Sequence, residues 1–152
     1  MSADDLHRTA EQRLEAGDQR YTVGRRRLVD TLAGMGAPAT LPELLARRPD
    51  LAQSSAYRNL AVLEEVGVVR RLVHGTGYAY YELAEDLTEH HHHLVCIRCG
   101  TVRDVTLGAA VERSLDREAH RISDIEGFVP THHTIDIHGV CDTCSAMAPS
   151  ER

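Results

Sequence analysis

Residues 54–83 read SSAYRNLAVLEEVGVVRRLVHGTGYAYYEL. The first half of this stretch carries a helix pattern. Ser54 and Ser55 open it, Leu60 and Leu63 recur on one face, and Gly67 stands where a C-cap belongs. The second half consists of two extended, β-branched or aromatic runs around Gly75-Thr76-Gly77, the signature of a hairpin. Upstream, Thr40 with Pro42 and Glu43 makes a capping-box start for LPELLARR, which Pro49 closes. Before that, Thr22 precedes GRRRLVDTLAGMG, where Val23, Leu28, Leu32 and Met35 form a candidate buried stripe. Leu6, Ala10 and Leu14 predict a leading helix over 4–16 that ends at Gly17. Three helices and then a hairpin is the order of a winged helix-turn-helix, although many small α+β domains share it.

The second half of the chain reads differently. HHLVCIRCGTVRDVTL suggests two short strands around Cys96–Cys99, Ala109 to Arg121 a helix, and VPTHHTIDIHGVC a strand with Ile135 and Ile137 on one face. A helix between strands makes an α/β unit. The fold class is therefore α+β. A winged-helix domain is expected over 1–84 (leading helix 1–17), a polar hinge over 85–89 and a second domain over 90–148.

The 152 residues are 42% hydrophobic and 26% charged, the balance of a globular chain. With no Trp and one Phe, the core must be aliphatic. No apolar run approaches the roughly 20 residues that span a bilayer, and the polar start MSADDLHRTAEQ shows no secretory signal, so the expected location is the cytosol. The net charge of −6 is unevenly placed. Residues 1–84 balance 11 Arg against 11 acids, while 85–152 carry 6 Arg and 12 acids. Within 20–84 the balance is +3, which leaves the first half compatible with a nucleic-acid partner. Histidine is the compositional anomaly: eight of the ten fall between 90 and 138.

Two motifs carry chemistry. Cys96-x-x-Cys99 and Cys141-x-x-Cys144 are paired knuckles whose four thiolates can close one tetrahedral structural Zn2+ site. Four cysteines in a cytosolic chain favour a metal over disulfides. A thioredoxin-like pair would open a helix after a strand, and neither pair does so in this pattern. His90-His91-His92-His93 runs directly into the apolar LVC segment. If it is extended, His90 and His92 face one way and His91 and His93 the other, so one run can serve two metal sites.

The spaced Tyr and Arg near the start, SSAYRNLxxLEEVGVV, HHHHLVCxxCG and GFxxxxHxIxIHGVCxxC together resemble the ferric uptake regulator (Fur) family of metal-dependent repressors, from about Tyr21 to Cys144. The resemblance implies a homodimer with an N-terminal winged helix and a C-terminal α/β dimerisation domain. It implies a structural zinc on Cys96, Cys99, Cys141 and Cys144. It further implies an inter-domain sensing site on His91 and His93, joined in zinc sensors by a wing His and a Cys six residues before the first of those histidines. Counting back gives His74 and Glu85, with Glu82 of the YEL segment as a competing ligand. A second regulatory site matches His90, His92, Glu112 and His133. Iron-type members carry a His before the second helix, where this chain has Ala37-Pro38-Ala39-Thr40. Imidazole and carboxylate suit Zn2+, Fe2+ or Mn2+ alike, and His74 tips the reading to zinc.

For DNA, Ser55, Tyr57, Arg58 and Asn59 start the helix that meets base edges in helix-turn-helix proteins, and Arg25 and Arg26 flank the same duplex. The function expected is a metal-loaded homodimeric repressor that binds double-stranded operator DNA and controls metal-uptake genes, with neither a membrane nor a small-molecule substrate as partner. An iron, manganese or peroxide sensor of the same family is the alternative, and a metal buffer or chaperone is the alternative from another class. An enzyme is not expected. H-E-x-x-H and the H-x-E deaminase pattern are absent from the sequence, and a four-thiolate site leaves no open position for substrate.

Overall fold

A computed structural model describes residues 1–73 and 77–147. The N-terminal half holds α1 (Ala3–Ala16), α2 (Val23–Ala33), the two-residue β1 (Ala39–Thr40), α3 (Leu41–Arg47), α4 (Gln53–Glu65), β2 (Val69–Val73) and β3 (Ala79–Leu83). Side chains set the helix starts. Ser2 accepts from the Asp5 N–H at 3.1 Å, Thr22 from that of Arg25 at 3.4 Å, and the Glu43 carboxylate reaches back to the Thr40 N–H at 2.7 Å. The α4 helix starts earlier than the serine pair suggests: its N-cap is Ala52, and Ser54 and Ser55 lie in its first turn. At its end Gly67 takes φ +73°, and the chain turns back so that the Val68 N–H reaches the Leu63 carbonyl at 2.8 Å.

The first sheet has the order β1-β3-β2, antiparallel throughout, with Arg70 directly opposite Glu82. The strand β1 went unread in the sequence; two residues carry too little periodicity to show. Leu6, Ala10, Leu14, Leu28, Leu44, Leu60, Leu63, Tyr81 and Leu83 close one apolar core beneath this sheet. Burying each such leucine contributes about 1.5–3 kcal/mol. Val23, expected in the stripe of α2, is instead 66% exposed because it begins the helix, before the face that packs.

A single 3-10 turn at Glu85–Leu87 leads into β4 (His92–Cys96). Then come β5 (Val102–Val105), α5 (Ala109–Glu126), β6 (Asp136–Gly139) and α6 (Asp142–Ala146), so that Cys141, against the pattern read from the sequence, does cap a short helix after a strand. The second sheet has the order β5-β4-β6, with β4 antiparallel to β5 and parallel to β6. The α5 helix runs past the expected Arg121 to a left-handed Gly127, and none of its residues is buried. The two sheets meet where Tyr80 of β3 packs with Val95 and Val102, Leu72 lying against them. Among the described residues no helix is long and apolar enough to cross a membrane.

Candidate metal centre and nucleic-acid interface

Three clusters of metal-ligating side chains form among the described residues, each with its donor atoms within 4.8 Å of one another. The first is Cys96, Cys99, Cys141 and Cys144, all free thiols. The turn after β4 brings Cys99 beside Cys96, and the parallel pairing of β4 with β6 delivers the second knuckle, with Cys99 and Cys141 Sγ 3.8 Å apart. Backbone N–H groups of Cys99 and Cys141 aim at the Cys96 sulfur and bring its thiol down to about 5. The sulfurs of Cys141 and Cys99 push Cys144 up to about 12. Thiolates this close repel one another, and a divalent cation is the counter-charge such a donor set fits.

The second cluster is His90, His92, Glu112 and His133. Glu112, in the first turn of α5, accepts from His92 Nε2 at 2.9 Å and from His133 Nε2 at 3.3 Å, with His90 Nε2 at 3.5 Å. The rings of His90 and His133 meet edge-on at 4.8 Å. Burial raises the Glu112 carboxyl, but hydrogen bonds and charge from His92, His90 and His133 outweigh it and leave it below its ordinary value.

The third cluster joins the two halves of the chain. Glu82, from β3, places Oε2 3.2 Å from His91 Nε2 and 3.1 Å from His93 Nε2. Asp104 of β5 completes the group with Oδ1 4.0 Å from both nitrogens. The pairing places Asp104 opposite His93 on one side and Asp136 opposite it on the other, and His93 Nδ1 contacts Asp136 at 3.1 Å. Glu82 is 8% exposed, and Arg70 holds its other oxygen at 3.0 Å. Burial raises the Glu82 carboxyl, but hydrogen bonds from His93 and His91 bring it below its usual value. Both imidazoles move up: burial opposes their charge, and the Glu89 carbonyl and Glu82 (for His91) or Glu82 and Asp136 (for His93) overcome it. Two neutral imidazoles and two carboxylates fit a borderline to hard divalent cation.

The placement differs from the sequence reading at two residues. Glu85 lies outside the third cluster, against His90 and 3.5 Å from Arg70, whereas Glu82, the competing candidate, lies within it. His74 lies outside the described residues. Asp104 was missed altogether. It sits alone in VRDV, and only the register of β4 with β5 brings it to the histidines.

In the N-terminal half, Tyr57 is 60% exposed near the start of α4, and Arg58 is exposed beside it. Asn59 is half-buried against Gly24 of α2. Arg25 is engaged locally, donating to the Arg20 carbonyl and Gln19, whereas Arg26 lies over the Tyr21 ring. Arg71 of β2 and Tyr78, just before β3, are exposed as well; the sequence reading passed over them because an Arg in a strand and a Tyr beside a turn carry no motif.

Residues 16–138 match the family model described as the ferric uptake regulator family. The peroxide operon regulator of Bacillus subtilis (strain 168) is 28% identical over 149 residues, which cover 95% of this chain and 97% of that protein. The ferric uptake regulation protein of Legionella pneumophila is 31% identical over 110 residues, 72% of this chain and 76% of that one. The fold is similar to that of the ferric uptake regulator of Helicobacter pylori, with a TM-score of 0.73 at 18% identity over 98% of this chain and 97% of that one. It is similar also to that of the Vibrio cholerae regulator, with a TM-score of 0.66 at 24% identity over 86% and 98%.

Proposed function

We propose, from the premise that this chain belongs to the ferric uptake regulator family of metal-responsive, DNA-binding transcription regulators, that it is a cytoplasmic homodimeric repressor of metal-uptake genes. The observation that carries the reading is the third cluster. Glu82 comes from the winged-helix sheet, and His91, His93 and Asp104 come from the second sheet. A bound divalent cation supplies a charge that holds donors from both halves together. Glu82 fixes the hairpin end, His91 and His93 fix β4, and residues 85–89 between them act as the hinge. The cation acts only through its preference for that arrangement, in which the two winged helices of a dimer match two half-sites. Tyr57 and Arg58 of α4 meet the duplex, and Cys96, Cys99, Cys141 and Cys144 hold the structural Zn2+.

The regulatory ion follows from the donors. His74 favoured zinc in the sequence, but the four residues brought together in the structure include two carboxylates and no thiolate. That oxygen content supports Fe2+ or Mn2+ as the ion sensed, as do the names of the ferric uptake and peroxide regulators to which the chain is similar. Zinc is the second reading, resting on His74. Fluorescence anisotropy with promoter fragments of metal-uptake genes, titrated separately with Fe2+, Mn2+ and Zn2+, tests both. Iron or manganese should tighten DNA binding, the His91→Ala variant should lose that response, and peroxide added to the iron form separates a peroxide sensor from an iron sensor. Binding that ignores every metal overturns the sensing reading.

A further inference from the structure

The second and third clusters lie on opposite faces of the same histidine run, yet one side chain touches the carboxylates of both neighbourhoods. Arg70 of β2 places Nη2 3.0 Å from Glu82 Oε1 and Nη1 3.5 Å from Glu85 Oε2. Glu82 belongs to the third cluster. Glu85 belongs to neither, but its Oε1 bonds His90 Nδ1, and His90 Nε2 looks toward Glu112 in the second cluster. Glu85 is thus the outer carboxylate that orients a candidate ligand histidine. Its Oε2 is buried with no hydrogen-bond partner, only the longer contact to Arg70. A guanidinium is a planar fork able to hold two carboxylates at once, which a lysine ammonium does less well.

We propose that Arg70 is a positioning residue that couples the two regulatory sites, so that filling the Glu82 cluster strengthens binding at the His90 cluster. The inference rests on the sensing reading given above. The chain of contacts sets the sign. Glu82 divides its charge between Arg70 on Oε1 and the two imidazoles on Oε2. When Glu82 shares that charge with a cation, its hold on Arg70 weakens and the guanidinium is drawn to Glu85. The gain is one of position rather than charge: with its otherwise unpartnered Oε2 fixed by the guanidinium, the Glu85 carboxylate stays oriented with Oε1 on His90 Nδ1, which holds the ring with Nε2 turned to ligate. By linkage the effect is reciprocal, and a coupling at the low end of the usual range is about 5-fold in affinity.

Calorimetric titration of the full-length, four-cysteine-loaded dimer with Zn2+ alone reads this directly. In the wild-type background, His91→Ala should remove one ion per chain and weaken the His90 cluster by about 5-fold. In the Arg70→Gln background, the same His91→Ala change should leave the His90 cluster unaltered. Glu85→Gln keeps an acceptor for His90 but drops the charge; it should uncouple the sites likewise, with both sets of four ligands intact. Arg70→Lys should retain only part of the coupling. A merely structural role for Arg70 would lower melting temperature without changing this ratio. If two further ions bind and the His91→Ala effect persists unchanged in Arg70→Gln and Glu85→Gln, the relay is overturned and the sensing reading survives. If no Zn2+ binds beyond the four-cysteine site, both fail together.

Discussion

Leu14, Leu28, Leu44, Leu60 and Leu63 are fully buried in the N-terminal half, whereas in the C-terminal half the fully buried large side chains are the histidines His92 and His93. One half closes on an aliphatic core drawn from four helices and a sheet. The other has Val95 and Val102 packed against Tyr80 of β3, two clusters of ligand residues of its own, and a third that it shares with Glu82 of the first half. Its longest helix, α5, buries nothing, and Val111, Ile122, Ile125, Phe128 and Ile137 stand exposed. An exposed apolar surface of that kind marks an interaction site, and it is the surface the proposed homodimer would bury. The difference teaches what each half holds within the chain: an aliphatic core in the first, and in the second mainly clusters of ligand side chains beside an uncovered apolar helix face, which the proposed cations and second subunit would complete.

The largest expected effect breaks the second half alone. Cys96→Ser or Cys144→Ser should lose zinc and the dimer together, because structural zinc binding contributes on the order of 10–16 kcal/mol in comparable small sites. Metal analysis and analytical ultracentrifugation check this, and a zinc-free but stable dimer would reverse the comparison. Next in size, Leu60→Ala should cost about 2–5 kcal/mol by cavity formation in the first half. Zinc content should stay at its wild-type level while the urea midpoint falls. If Leu60→Ala also released the zinc, the halves would not be energetically separable.

Smaller effects fall on the DNA face. Tyr57→Ala and Arg58→Ala should each weaken operator binding by about 1–3 kcal/mol with metal content unchanged. If the Arg58 partner is a phosphate, Arg58→Ala should also flatten the salt dependence by about one unit of slope. Wild-type affinity in both variants would move the contact surface off α4 and toward the exposed hairpin residues Arg71 and Tyr78.

Legibility followed the same division. The first half could be read because its signals are local: Thr22, Thr40, Gly67 and leucines at helical spacing each act within a few residues. The cysteine knuckles and the alternation of His90–His93 could be read for the same reason. What escaped depends on strand pairing. Asp104 and Asp136 flank His93 only because β5 and β6 sit on either side of β4, and their registers are properties of the folded sheet. Glu82 rather than Glu85 stands beside His91 and His93 because an antiparallel hairpin and a 3-10 turn intervene before the histidines, so that counting residues does not measure distance. Exposed α5 looked like any amphipathic helix in sequence, since a pattern cannot say whether its apolar face meets its own chain or another.

The smallest expected effect is a matter of protons at the junction of the halves. His91 and His93 have pKa values raised above the ordinary 6.5. Burial works against the charged rings, but the Glu89 carbonyl, Glu82 and Asp136 more than offset it. For a raised histidine the stabilisation by these partners is fully present below the unfolded-state value and is lost as pH climbs through the folded-state value. The metal-free protein should therefore lose a little stability on going from pH 6 to pH 8, and His91→Gln should flatten that slope. A cation needs both rings neutral, so the same protons compete with it. Metal affinity at the Glu82 cluster should accordingly fall with acidification, starting above the pH at which a free histidine would titrate. Titrations near pH 7 in buffers of different ionisation enthalpy should detect proton release on binding, diminished in His91→Gln. Binding at pH 7 without proton release would mean that the rings are already neutral there, and that carboxylate contacts alone hold the junction before metal arrives.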